Sequence, residues 1–71
     1  MDENKVEITQ KLFECLKVTR YGSDIKKMEY IEENGDEYII VTFDNDYQKR
    51  ICVTADSGKA MIMDVINYIG R

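Results

Sequence analysis

Asn34-Gly35 stands between two runs of strand-forming residues, and it constrains this chain more than any other feature. A type I′ turn needs positive φ at both central positions, and Asn-Gly meets that demand at little steric cost. Taken as a two-residue loop, it pairs Tyr30 with Ile39, Met28 with Val41 and Lys26 with Phe43. Side chains alternate along a strand, so Met28, Tyr30, Ile39, Val41 and Phe43 then share one apolar face. A second turn at Asp44-Asn45-Asp46 leads into a third strand, Tyr47 to Thr54. A three-residue loop there puts Tyr47, Ile51 and Val53 on the core face, with Lys49 at its rim. A two-residue loop would put Gln48, Arg50 and Cys52 there instead. Burial favours the three-residue loop.

The flanking segments carry a helical period. From about Asn4 to Tyr21, residues Ile8, Leu12, Cys15, Leu16 and Thr19 recur at 3.6-residue spacing, widened by Phe13 and Val18. Asn4 followed by Glu7 is a capping-box pattern, and Gly22 suits the left-handed position just past the end. From about Ala55 to Ile69, residues Ile62, Val65, Ile66 and Ile69 form a core stripe flanked by Met61, Met63 and Tyr68. Thr54, Asp56 or Ser57 can cap this helix and Gly70 can end it. The predicted fold is α+β in the order αβββα. It is a single domain over residues 1–71, a three-stranded antiparallel meander with both helices packed on one face.

Composition narrows the chemistry. The chain has no histidine, which removes the commonest general base and the commonest zinc ligand. Cys15 and Cys52 cannot complete a four-ligand zinc site without carboxylates or a second copy, and a cysteine nucleophile lacks its usual imidazole. No enzymatic activity, cofactor or metal site is expected. Ten basic and fourteen acidic residues leave a formal charge of −4. That balance disfavours a surface built wholly for nucleic acid or anionic lipid. No apolar run approaches the ~18 residues of a membrane span, and the lead Met1-Asp2-Glu3-Asn4 is acidic, unlike a signal peptide. A cytoplasmic protein with reduced, buried thiols is the expectation, although one disulfide is arithmetically open.

Pairing the strands sorts the charges. Lys26, Lys27, Lys49 and Arg50 are expected near one end of the sheet, with Lys17 and Arg20 at the close of the first helix. This basic pole is diluted by Asp24, Asp44 and Asp46. Glu32, Glu33, Asp36 and Glu37 surround the Asn-Gly turn at the opposite, acidic end. The register also places Ile31, Tyr38, Ile40 and Cys52 on the face away from the helices. An apolar patch rimmed by charge is the pattern of an interaction site; it could equally close a homodimer or lie under a helix. Ser57-Gly58-Lys59 reads either as a phosphate-holding helix start or as ordinary capping, and capping is favoured. The acidic turn lacks the ligand spacing of an EF-hand loop.

Two families bear a resemblance to these patterns. The αβββα order and the length are similar to the double-stranded RNA-binding domain, which implies phosphate-binding lysines at the second helix start and a loop for the minor groove. Here only Lys59 stands at that helix start, and the loop Glu33-Asn34-Gly35-Asp36 is acidic. The stretch Glu33-Asn34-Gly35-Asp36-Glu37-Tyr38-Ile39-Ile40 resembles the small acidic phage-encoded anti-CRISPR proteins, without their strongly acidic C-terminal helix. That resemblance implies that Glu32, Glu33, Asp36 and Glu37 mimic phosphates for a basic groove on a protein partner.

The expected function is a non-enzymatic protein-interaction domain, in its sharpest form a stoichiometric inhibitor of a nucleic-acid-handling protein from a phage or mobile element. Nucleic-acid binding through the basic pole is the runner-up, and a structural homodimer the third reading.

Overall fold

The computed structural model of the chain describes residues 4–20 and 22–69. Five elements follow one another: α1 (Lys5–Lys17), β1 (Ile25–Glu33), β2 (Asp36–Phe43), β3 (Gln48–Cys52) and α2 (Gly58–Ile69). The strands form one antiparallel sheet in the order β1-β2-β3, so the fold is the αβββα meander that the turns and periods predict. Asn34 (φ 55°) and Gly35 (φ 84°) both adopt the left-handed conformation that a type I′ turn requires, and Glu33 pairs with Asp36 across it.

The second hairpin has the three-residue loop. Phe43 N–H donates to Tyr47 O at 2.8 Å and Asp46 N–H to Phe43 O at 2.8 Å, with Asp46 left-handed at φ 67°. Ile39 therefore faces Ile51 and Val41 faces Lys49. One register detail departs from expectation. A bulge between Ile25 and Lys27 pairs Phe43 with Ile25 rather than Lys26. The extra residue turns Lys26 out to solvent and drives Ile25 fully into the core, a re-aiming that bulges perform.

Ile25, Met28, Ile39, Val41, Ile51 and Val53 from the sheet join Leu12 of α1 and Met61, Val65 and Ile69 of α2 in one buried cluster. Both helices contribute to this single core, on one face of the sheet. Asn4 caps α1, its Oδ1 accepting from Glu7 N–H at 3.0 Å. The buried face of α1 is rotated from the expected one. Thr9 is buried, its hydroxyl donating to Lys5 O at 2.7 Å, while Cys15 and Val18 are exposed. Cys52 is exposed as well, so neither thiol is buried as expected and neither is bridged.

The helix ends also differ from the pattern. α1 stops at Lys17 because Thr19 takes over the Leu16 carbonyl, with its N–H at 2.9 Å and its hydroxyl at 2.7 Å. The expected end at Tyr21, the Gly70 terminator and the Met1-Asp2-Glu3 lead lie outside the described residues. α2 begins at Gly58, later than Ala55, because Ser57 is its cap: Ser57 Oγ accepts from Ala60 N–H at 3.1 Å. α2 is also turned about its axis. Met61 is fully buried where a flanking role was expected, and Ile66, expected in the core stripe, is exposed.

Gly22 is required by close approach rather than by a left-handed φ. A Cβ there would sit 2.3 Å from Leu16 O and 2.8 Å from Leu16 C, backbone atoms that cannot swing aside. Gly22→Ala is expected to destabilise the fold by about 2 kcal/mol, in the range of overpacking substitutions. A urea titration of the variant checks this, and an unchanged midpoint would show that the turn relaxes freely.

Candidate interaction surfaces

Strand alternation divides the acidic turn between two sides. Glu32 and Glu37 are cross-strand partners, as are Glu33 and Asp36, and the two pairs point to opposite faces. Glu37 lies on the helix side, and its carboxylate is consumed internally. Lys5 Nζ of α1 donates to both its oxygens, at 3.0 and 2.9 Å. The Tyr30 hydroxyl donates to Oε2, and Ala55 N–H donates to Oε1 at 3.0 Å. The Glu37 backbone N–H donates to Thr54 Oγ1 at 2.9 Å.

This carboxylate thus ties α1, β1 and the β3–α2 connection to β2. The Tyr30 and Lys5 hydrogen bonds, with that of Ala55, hold its pKa down to about 2. Burial first, then the hydrogen bond to Glu37 and the charge of that carboxylate, push the Tyr30 hydroxyl up to about 12. Ala55 is left-handed at φ 63°, a conformation in which its N–H reaches Glu37. Of the four carboxylates at the turn, Glu37 is therefore a structural tie, while Glu32, Glu33 and Asp36 are exposed.

The other side of the sheet carries no helix. Ile31, Tyr38 and Ile40 are half-buried there by one another and by their charged neighbours, and Cys52 is exposed. Arg50 lies over the Tyr38 ring, 4.4 Å from its centroid, and its Nη2 reaches Glu33 Oε2 at 2.8 Å. Lys27 Nζ pairs with Glu29 Oε1 at 3.1 Å. Gln48 Nε2 donates to Thr42 Oγ1 at 3.1 Å, closing the far end of this face. The result is an apolar centre edged by both signs of charge, with acid concentrated at the Asn-Gly end.

The six basic residues do not assemble into one free patch. Lys26 Nζ contacts Asp46 Oδ1 at 2.9 Å, Lys27 and Arg50 are engaged as above, and Lys49 Nζ sits 5.6 Å from the Tyr68 ring centroid. Lys17 Nζ donates to Ser23 O at 3.5 Å, and Arg20 is exposed. Ser57, where capping was favoured over a phosphate-holding helix start, spends its Oγ on capping α2. Among the described residues no three acidic or sulfur-bearing side chains are grouped to hold a metal ion, and no helix is long and apolar enough to cross a membrane.

Three features escaped the sequence. Tyr47, assigned to the core, is 58% exposed and stacks on Phe43 with ring centroids 6.1 Å apart. The Lys5–Glu37–Tyr30 tie joins residues distant in sequence, and no local spacing marks it. Asp56, in the connection before α2, and Asp64, in the middle of that helix, form a carboxyl pair. A side-chain hydrogen bond with Asp64 raises the Asp56 pKa from its ordinary value, and burial and the Asp64 charge add to this. Asp56 Oδ2 is buried with no hydrogen-bond partner.

No protein-family model, curated protein or solved structure matches the chain.

Two pH dependences follow from these shifts. Glu37 has a lowered folded pKa, so its contribution to stability is present above about pH 4.5 and is lost as pH falls towards about 2. Glu37→Gln is expected to lower the urea midpoint at pH 7 and to flatten the acid limb between those values. An acid limb as steep as that of the native chain would contradict the tie. Asp56 has a raised folded pKa, so its contribution is present in acid and is lost as pH rises past the ordinary value of 3.8. Asp64→Asn, which removes the like charge, is expected to raise the midpoint at pH 7 and to leave it little changed near pH 3. Equal midpoint changes at both pH values would argue that the pair does not interact.

Proposed function

We propose that this chain is a non-enzymatic interaction domain that binds a protein partner across the open face of its sheet and the acidic hairpin end beside it. The observation that carries this reading is the one-sided construction of the molecule. Both helices contribute to a core on one face, and the other face presents Ile31, Tyr38, Ile40 and Cys52 between Lys27, Arg50, Glu33 and Asp36. An apolar centre within a polar rim is the usual anatomy of an interface. Aromatic and arginine side chains, here Tyr38 under Arg50, are enriched among residues that dominate binding energy.

In its sharper form the domain is a stoichiometric inhibitor of a nucleic-acid-handling protein, of the kind carried by phages and mobile elements. Exposed Glu33 and Asp36 on the open face, with Glu32 at the same hairpin end but on the helix side, would meet a basic groove, and negative charge at the rim would speed encounter. Glu37 is not part of that set, because Lys5 and Tyr30 already occupy it. Direct nucleic-acid binding is less well supported, since Lys26, Lys27 and Arg50 are each paired with a carboxylate of the chain itself.

Two measurements separate these readings. Fluorescence anisotropy against duplex RNA and duplex DNA at about 50 and 200 mM salt is expected to show no saturable binding. Phosphate-mediated binding would instead weaken by orders of magnitude between them. Affinity capture from the source cells, compared between the native chain and Glu33→Lys/Asp36→Lys, is expected to lose a stoichiometric protein partner in the variant. Capture that is unchanged by this reversal and by Ile40→Lys would refute the reading.

A further inference from the structure

α2 is apolar on nearly every side. Seven of its residues, Met61, Ile62, Met63, Val65, Ile66, Tyr68 and Ile69, are large and apolar, and a helix of that kind is ordinarily buried all round. Here one side only is buried. Met61, Val65 and Ile69 face the core, while Met63 is 53% and Ile66 45% exposed. Ile62 is half-buried and forms one wall of a groove of about 350 Å³ between the helices, completed by Glu7, Ile8, Lys11 and Leu12 of α1. Ile66 lies one turn along from Ile62, and Met63 lies one turn before Ile66, so the exposed residues continue that wall. The surplus apolar surface of the molecule is thus concentrated on the outer side of the helical layer, away from the sheet face proposed above.

We infer that a second copy of this chain covers that side, the Met63–Ile66 stripe of each copy entering the α1–α2 groove of the other. Two observations choose this occupant. The groove is edged by one acid and one base, Glu7 and Lys11, both exposed and one turn apart on α1. Under a two-fold axis, residue i of one copy meets j of the other and j meets i, so Glu7 of each copy can face Lys11 of its partner. The second is size. A 71-residue chain whose two cysteines are unpaired has a thin core, and association is one of the ways small domains gain stability. The dimer would hold four helices between two sheets, leaving both open sheet faces outward for partners.

Sedimentation equilibrium of the native chain tests this. The expected result is a reversible, concentration-dependent rise from 8.3 kDa to twice that mass. Ile66→Glu, at an exposed position, is expected to weaken dimerisation at least tenfold while keeping the native far-UV circular dichroism. Met63→Glu serves the same purpose should Ile66→Glu fail to fold. Tyr38→Glu on the open sheet face is expected to leave the dimer intact. A native chain that stays at 8.3 kDa up to about 1 mM overturns the inference. So does a dimer that survives both α2 substitutions, or one that Tyr38→Glu breaks. The proposed partner face is read separately, by capture with Glu33→Lys/Asp36→Lys, so either proposal can fail while the other stands.

Discussion

The carboxylate of Glu37 is the point through which the two layers of this molecule are joined. It receives Lys5 from α1, Tyr30 from β1 and the Ala55 amide from the β3–α2 connection, while its own backbone belongs to the central strand. A half-buried carboxylate is costly unless its lone pairs are filled, and here donors from three other segments fill them. Each donor is also placed by the others. Lys5 opens α1 just after the Asn4 cap, and Tyr30 stands on the core side of β1. Ala55 takes a left-handed φ in the short connection that turns the chain into α2. Hydrophobic burial supplies most of the driving force in such a domain, but it is non-directional. The Glu37 tie fixes where on the sheet the helical layer rests.

That placement gives the molecule its asymmetry. With α1 and α2 contributing to one core, the remaining sheet face keeps its own pattern, Tyr38 and Ile40 at the centre and charge at the edges. The same alternation that sends Glu37 inward sends Glu33 and Asp36 outward, so the acidic turn serves both cohesion and surface. On the helical side the balance differs. α2 carries more apolar surface than the small core can absorb, and the excess emerges at Met63 and Ile66. Around the ten buried hydrophobic residues found among the described ones, the domain has two exposed surfaces of different character, one mixed in charge, one apolar and grooved.

Much of this fold was legible in the residues because local signals agreed with one another. Asn34-Gly35 fixed the first hairpin, Asp44-Asn45-Asp46 the second, and Asn4 the start of α1. What the sequence could not show were choices made by packing. The bulge that buries Ile25 in place of Lys26 leaves no local mark, because the ideal pairing is equally plausible until the end of β1 must close the core. In α2 almost any rotation presents apolar residues inward, so periodicity alone did not distinguish Ile66 from Met61. Tyr47 fits a core position by type, yet it lies past the last position that the helices cover and stacks on Phe43 instead. At the candidate surface, the sequence placed the four acidic residues at one turn correctly, but not that Lys5, 32 residues away, would withdraw Glu37 from them.

The placement of both helices depends on the Glu37 carboxylate holding them to the sheet. Amide hydrogen exchange by NMR, residue by residue, compared between the native chain and Glu37→Gln at pH 7, asks this directly. Protection is expected to fall in the first turns of α1 and α2 and at Ala55, while the β1–β2 hairpin amides keep theirs. Unchanged protection at both helix starts, or a uniform loss across helices and hairpin alike, would contradict that dependence on Glu37.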